Sequence, residues 1–152
     1  MKILTTVGTT KFDSLIKYVD SESYFNDLYI EFQIADGKYI PKNHPYFSFI
    51  SGIEKKYQES DIVITHAGAG TIYKLLEMQK KMIVVPNLDR IDKHQMDIAE
   101  FVSKNKFALV AYNLTQLGIF LDFIQNYNFN IFKKEKFFKT DEIVEYLLYK
   151  SA

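Results

Sequence analysis

Short runs of β-prone residues alternate with longer stretches of helical periodicity along most of this chain. The predicted strands are residues 3–7, 28–34, 46–50, 61–65, 82–85 and 107–111. The predicted helices are residues 12–19, 53–59, 71–79, 92–104 and 115–126. Strands joined by helices favour a parallel sheet, because each parallel connection must cross over the sheet and its helix covers one face. With right-handed crossovers, we expect an α/β fold with a Rossmann-like, doubly wound parallel sheet.

Composition excludes several classes of protein. The 152 residues include 19 Lys plus Arg and 19 Asp plus Glu, and this balance disfavours a general nucleic-acid binder. There is no Cys, so disulfides, Cys-based zinc sites and thiol catalysis are excluded. We find no apolar run long enough to span a membrane and no secretory signal, and therefore expect a cytoplasmic protein.

The last part of the chain departs from the strand and helix pattern. We divide the chain into a main domain, residues 1–126, and an aromatic C-terminal segment with a final helix, residues 127–152. We expect the segment to cover the main domain and to dock a partner protein, because aromatic residues are enriched in interface cores; self-association is the alternative. Its aromatic residues include Tyr127, Phe129, Phe132, Phe137, Phe138, Tyr146 and Tyr149.

Two glycine-containing turns follow predicted strands and precede predicted helices. Small side chains, backbone N–H groups and a helix N-terminus together make a cradle for phosphate, although glycines also form ordinary tight turns. The Walker and dinucleotide-binding motifs do not fit, since no Lys follows Gly70 and Tyr73 stands where a third glycine is required. The turns comprise Gly8, Thr9 and Thr10, and His66, Ala67, Gly68, Ala69, Gly70 and Thr71.

Three motifs, in this order along the chain, resemble those of a known protein family. They are residues 66–71 (HAGAGT), residues 83–87 (IVVPN) and residues 92–95 (DKHQ). Together they resemble the C-terminal, nucleotide-sugar-binding domain of family 28 glycosyltransferases. The likeness is greatest to stand-alone catalytic subunits, such as that of the two-part UDP-N-acetylglucosamine transferase of dolichol-linked oligosaccharide synthesis and similar bacterial capsule or exopolysaccharide subunits.

This resemblance implies one half of a GT-B enzyme divided between two chains. This chain would bind a UDP-sugar, and a membrane-anchored partner subunit would hold a lipid-linked sugar acceptor at the inner face of the membrane. Transfer would be inverting. In such enzymes helix N-termini and backbone N–H groups stabilise the leaving diphosphate, so the resemblance implies neither a metal nor a further cofactor.

The resemblance also assigns residues to the donor site. The turn of residues 66–71 would contact the diphosphate, and Gly8, Thr9 and Thr10 would line the cleft near the diphosphate or the acceptor. Gln95 and His94 would reach the hydroxyls of the donor sugar, with Asn87 bordering that pocket. The general base is not identified; His66, His94 and Asp13 are weak candidates. We interpret His44, which lies among prolines, as a loop residue.

One position departs from the family pattern. An acidic residue that binds ribose usually lies three positions after the last residue of the glycine motif, but Lys74 stands there. An ammonium group donates hydrogen bonds and accepts none, so it cannot replace a carboxylate; Glu77, one turn later, is a candidate substitute. This departure gives one alternative, a non-catalytic subunit of the same fold with lost or weakened donor binding. A separate alternative, from another class of protein, is a nucleotide-binding oxidoreductase that retains NAD or flavin.

Overall fold

The strands form one parallel six-stranded sheet. The computed structural model describes residues 1–88 and 94–134. The sheet order is β3-β2-β1-β4-β5-β6, and every neighbouring pair is parallel. The strands are β1 (Lys2–Thr6), β2 (Tyr29–Gln33), β3 (Tyr46–Phe47), β4 (Ile62–His66), β5 (Lys81–Val85) and β6 (Leu109–Val110). The predicted Rossmann-like, doubly wound parallel sheet is therefore confirmed.

The described parts of the chain contain five helices, of which the first four connect strands and the last follows β6. They are α1 (Asp13–Ser21), α2 (Glu54–Glu59), α3 (Ala69–Glu77), α4 (His94–Lys104) and α5 (Gln116–Phe123), with 3₁₀ turns at Ser23–Phe25 and Ile124–Asn126. The predicted start of α3 at residue 71 is wrong. Gly68 is the N-cap in an extended conformation, so Ala69, Gly70 and Thr71 form the first helical turn. A glycine there costs less than in a helix interior.

Alternating side chains of the strands pack into two apolar layers, one on each face of the sheet. Ile3, Ile62 and Ile64 pack on one face with side chains from α1 and α5. Leu4 and Val63 pack on the other face with side chains from α2, α3 and α4. Because a strand exposes successive side chains on opposite faces, continuous apolar runs are what a sheet covered on both sides requires.

The long connection from β2 to β3 is anchored by a buried carboxylate at the end of α1. Asp20 accepts hydrogen bonds from the Tyr39 hydroxyl at 2.7 Å and from the backbone N–H groups of Lys42 at 2.8 Å and Asn43 at 3.0 Å. Burial acts to raise the pKa of Asp20, but the hydrogen bonds from Lys42, Tyr39 and Asn43 outweigh it and hold the pKa below its ordinary value.

The described part of the C-terminal segment packs against the main domain. Tyr127 and Phe129 contact the apolar layer of α1 and α5, while Phe132 stacks edge-on against Phe107. The backbone N–H of Asn130 donates to the carbonyl of Lys106 at 2.9 Å. The final predicted helix lies outside the described residues, so the domain division and the docking of a partner stay predictions. Phe137, Phe138, Tyr146 and Tyr149 also lie outside the described residues.

No helix in residues 1–88 or 94–134 combines the length and the apolar character needed to cross a membrane.

Replacing the buried carboxylate of Asp20 should destabilise the fold and weaken the dependence of its free energy of unfolding on pH in the acid range. In Asp20→Asn an amide N–H₂ replaces an oxygen that accepts backbone hydrogen bonds, and we expect a loss of about 1–3 kcal/mol in the free energy of unfolding at pH 7. Since the native pKa of Asp20 is lowered, its contribution is present above about pH 4 and is lost as pH falls further. Urea unfolding at pH 7 and pH 3.5 measures both effects.

The exposed Asp27 provides a matched control, because Asp27→Asn makes the same chemical change in a turn at the surface. Equal stability of the two variants at pH 7 would contradict the anchoring role of Asp20.

Candidate functional site

The two glycine turns lie side by side because β1 and β4 are neighbours in the sheet. Thr6 pairs with Thr65 in the parallel register, so the chain leaves both strands at the same edge. An open cleft of about 670 Å³ lies there, at the N-terminus of α3. Its described lining residues are Gly8, Thr9, Thr10, Ile53, Glu54, Tyr57, His66, Ala67, Gly68, Ala69, Gly70, Thr71, Lys74, His94, Gln95 and Ile98.

The His66 ring lies between the two turns and explains why each contains a glycine. A Cβ on Gly8 would stand 2.5 Å from Cε1 of His66, and a Cβ on Gly68 would clash with Nε2 of the same ring. Gly8 also adopts a φ of 65°, in the left-handed region that disfavours other residues. Part of the space between the turns is thus filled by His66, and the cleft opens beside the ring.

Burial keeps the His66 imidazole neutral. The side chain is only 8% exposed, and this desolvation lowers its pKa from 6.5 to about 4. Its Nδ1 lies 3.4 Å from the Thr65 hydroxyl oxygen. A neutral imidazole carries one N–H and one lone pair, so His66 contributes a directional hydrogen-bonding group, without a positive charge, to the cleft.

The buried side chain of Gln33 holds the Gly8 turn in place. Oε1 of Gln33 accepts hydrogen bonds from the Thr6 hydroxyl at 2.6 Å and from the Val7 N–H at 3.1 Å. Its Nε2 donates to the carbonyls of Gly8 and Ser48, each at 2.8 Å. All four partners lie on the loops and strands around the Gly8 turn, so Gln33 holds that turn rigidly at the sheet edge.

Tyr57 connects the end of β1 with the first turn of α3. This buried side chain of α2 forms hydrogen bonds with Thr71 in the first turn of α3 and with Thr6 at the end of β1. Its pKa is raised chiefly by burial, which these two hydrogen bonds partly offset. Sequence reasoning missed both Tyr57 and Gln33, because their role depends on partners from distant parts of the chain.

Most of the predicted donor-site residues meet in this cleft, but Asn87 does not line it. Gln95 and His94 reach it from the start of α4, and Oε1 of the buried Gln95 accepts the Asn87 N–H at 2.9 Å. Asn87 instead lines an adjacent recess that shares Thr10 with the cleft and also contains Asp13. Gln95 therefore lies between the cleft, which it lines, and the recess lined by Asn87.

Two of the predicted carboxylates are engaged elsewhere. Asp13 accepts hydrogen bonds from the backbone N–H groups of Lys38 at 3.0 Å and Tyr39 at 3.2 Å, and so anchors the loop after β2. Glu77 forms an ion pair with Lys134 at 2.5 Å and is absent from the described lining of the cleft. The geometry therefore does not support Glu77 as the acid that binds ribose in place of the one missing at position 74.

Comparison with known proteins gives the family. Residues 2–118 match the glycosyltransferase family 28 C-terminal domain. The chain belongs to this family. It is 33% identical to the human UDP-N-acetylglucosamine transferase subunit ALG13, over 67% of this chain and 10% of that protein. It is also 36% identical to the UDP-N-acetylglucosamine--N-acetylmuramyl-(pentapeptide) pyrophosphoryl-undecaprenol N-acetylglucosamine transferase of Finegoldia magna, over 51% of this chain and 20% of that enzyme.

Solved structures place this family 28 domain among GT-B folds. Acinetobacter baumannii MurG superposes with a TM-score of 0.61 at 20% identity, over 82% of this chain and 41% of that one. The solution structure of ALG13 superposes with a TM-score of 0.64 at 21% identity, over 97% of this chain and 94% of that one. The chain spans about a tenth of the length of the first curated relatives it matches.

The charge state of His66 can be measured directly. We expect its imidazole resonance in an NMR titration to show a midpoint near pH 4, assigned with a His66→Gln variant. Because the native pKa is lowered, the unfolded chain binds the proton first, and the stability associated with His66 is lost as pH falls from about 6.5 towards 4. A midpoint near 6.5 would show that the ring is hydrated, contrary to the structure.

Proposed function

We propose that this family 28 domain binds a UDP-sugar and forms the donor side of a glycosyltransferase. The observation that carries the proposal is the pair of glycine turns at adjacent strand ends, which open onto one cleft at the N-terminus of α3. Ligands of open parallel sheets bind beyond the carboxyl ends of the strands, and the N–H groups of a helix N-terminus favour an anion. The nucleoside diphosphate would bind here without a cofactor.

In this proposal the leaving UDP is stabilised by backbone groups. The first turn of α3 exposes N–H groups that have no partner within the helix, and its dipole adds a partial positive charge. The neutral His66 ring can share one hydrogen bond with the diphosphate. Such preorganised donors lower the energy of the charge that develops on the leaving group.

The sugar would extend towards α4. The amide of Gln95 and the imidazole of His94 would bind its hydroxyls, since both line the cleft. Among the candidate bases, His66 with a pKa of about 4 is too weakly basic, and the Asp13 carboxylate is used by backbone N–H groups. The base for inverting transfer would come from His94 or from the partner.

The acceptor would be bound by a second, membrane-anchored chain. A single Rossmann-like domain supplies one wall of an interdomain cleft, and the human relative is named as a subunit. The Finegoldia magna relative is named for transfer to a pyrophosphoryl-undecaprenol acceptor, which supports a lipid-linked sugar acceptor here. Together these points support a peripheral location at the inner face of the membrane.

A non-catalytic subunit is the second candidate, and Lys74 is the observation that favours it. This alternative predicts that UDP does not bind, either to the chain alone or with its partner. The oxidoreductase alternative has lost its support, because residues 2–118 match a glycosyltransferase domain.

A methyl group added in the first turn of α3 should block the diphosphate and leave the fold intact. A Cβ on Gly70 meets nothing within 4 Å, and Gly70 lines the cleft. In Gly70→Ala we expect unchanged or slightly higher stability, since Ala is the better helix former, with UDP affinity reduced at least about tenfold. Isothermal titration with UDP and thermal unfolding give the two readouts.

Gly118→Ala is the matched control. Gly118 lies in α5, where an added Cβ makes an ordinary 3.5 Å contact with the Tyr24 ring, and it is absent from the described cleft lining. This variant should gain similar stability and bind UDP as the wild type does. If Gly70→Ala also binds UDP normally, the diphosphate does not lie against this turn.

A further inference from the structure

An ion pair bridges two helices in the wall of the cleft. Nζ of Lys74 on α3 lies 3.3 Å from Oε1 of Glu54 at the start of α2. Both residues line the cleft, and their side chains are 44% and 45% exposed, so neither is sealed from a ligand. Exposed pairs of this kind add little stability.

The pair lies one helical turn from the phosphate cradle. Lys74 lies four positions after Gly70, about 6 Å along the helix axis. The apolar side chains of Ile53 and Ile98 also line the cleft. A diphosphate at the start of α3 would therefore have, within reach of its attached nucleoside, a charged pair and an apolar surface.

Glu54 has the chemistry that a ribose requires. Among the described residues that line the cleft, it is the only carboxylate. A ribose presents two neighbouring hydroxyl donors, and a carboxylate offers about four acceptor positions, of which the Lys74 contact uses one. Hydrogen bonds to a charged group are the stronger ones, so this contact can contribute to affinity even at a half-exposed site.

We propose that Glu54, held in place by Lys74, accepts hydrogen bonds from the ribose hydroxyls of the donor nucleotide. The inference rests on the proposed function, since it assumes a nucleoside diphosphate in the cleft. It gives Lys74 a positioning role: the acid that this helix lacks at position 74 is supplied by the neighbouring helix, and the cation fixes its orientation. The site would therefore select ribonucleotides over deoxyribonucleotides.

The test compares UDP with 2′-deoxy-UDP on the full chain, by isothermal titration or by saturation-transfer NMR where binding is weak. For the wild type we expect UDP to bind about tenfold more tightly than 2′-deoxy-UDP, the value of one hydrogen bond to a charged acceptor. Glu54→Ala should lose this preference, mainly through weaker binding of UDP.

Glu59→Ala is the matched control, because Glu59 lies on the same helix in an ion pair with Lys2 at 3.3 Å and is absent from the described cleft lining. It should retain the wild-type preference. The double variant Glu54→Lys with Lys74→Glu exchanges the two charges and should recover part of the preference, which Glu54→Lys alone should lack.

The outcomes separate this inference from the proposed function. If the wild type binds neither nucleotide, both fall. If it binds UDP and 2′-deoxy-UDP equally, or if Glu54→Ala keeps the wild-type preference, the ribose contact is wrong and UDP binding stands. In that case the ion pair is only a tether between α2 and α3.

Discussion

The parallel pairing of β1 with β4 is the constraint on which the site depends. Because Thr6 and Thr65 share a register, the turns that follow these strands leave the sheet together, although they are almost 60 residues apart in sequence. Any other neighbour for β1 would separate Gly8 from Gly68 by at least one strand. The central strands are buried on both faces, so the apolar layers that stabilise the fold also fix the relative position of the two turns.

Around these turns, the polar side chains act mainly on the backbone. The Gln33 side chain forms three hydrogen bonds with residues 6–8 and a fourth with the Ser48 carbonyl. Tyr57 connects the end of β1 to the first turn of α3. His66 fills the space that two glycines leave open. A cleft that binds an anion through N–H groups needs those groups held in place before the ligand arrives, since each loose donor weakens the binding. This network provides the required rigidity.

The order of strands and helices was predictable because each element carries its own period in the sequence. The two glycine turns were predictable for the same reason, since each directly follows an apolar run. The start of α3 was not, because the glycines of residues 68–70 indicate a loop, while Gly68 in fact caps the helix. Gln33, Tyr57 and Glu54 could not be found from the sequence, since their partners are brought close only by the sheet topology.

The fixed charges of the described cleft lining cancel, and this affects how the proposed reaction would be catalysed. Glu54 and Lys74 form a pair, and burial keeps His66 neutral near pH 7. If a diphosphate binds as proposed, backbone dipoles would provide the attraction for its two phosphate groups on this wall, an effect that falls off within the first helical turn. In the proposed reaction, the charge that develops on departing UDP would exceed what one helix N-terminus offsets. Further cationic or hydrogen-bonding groups would then have to come from outside the described lining of this wall, for example from a facing wall. A transferase divided between two chains would then become fully active only when both walls are assembled.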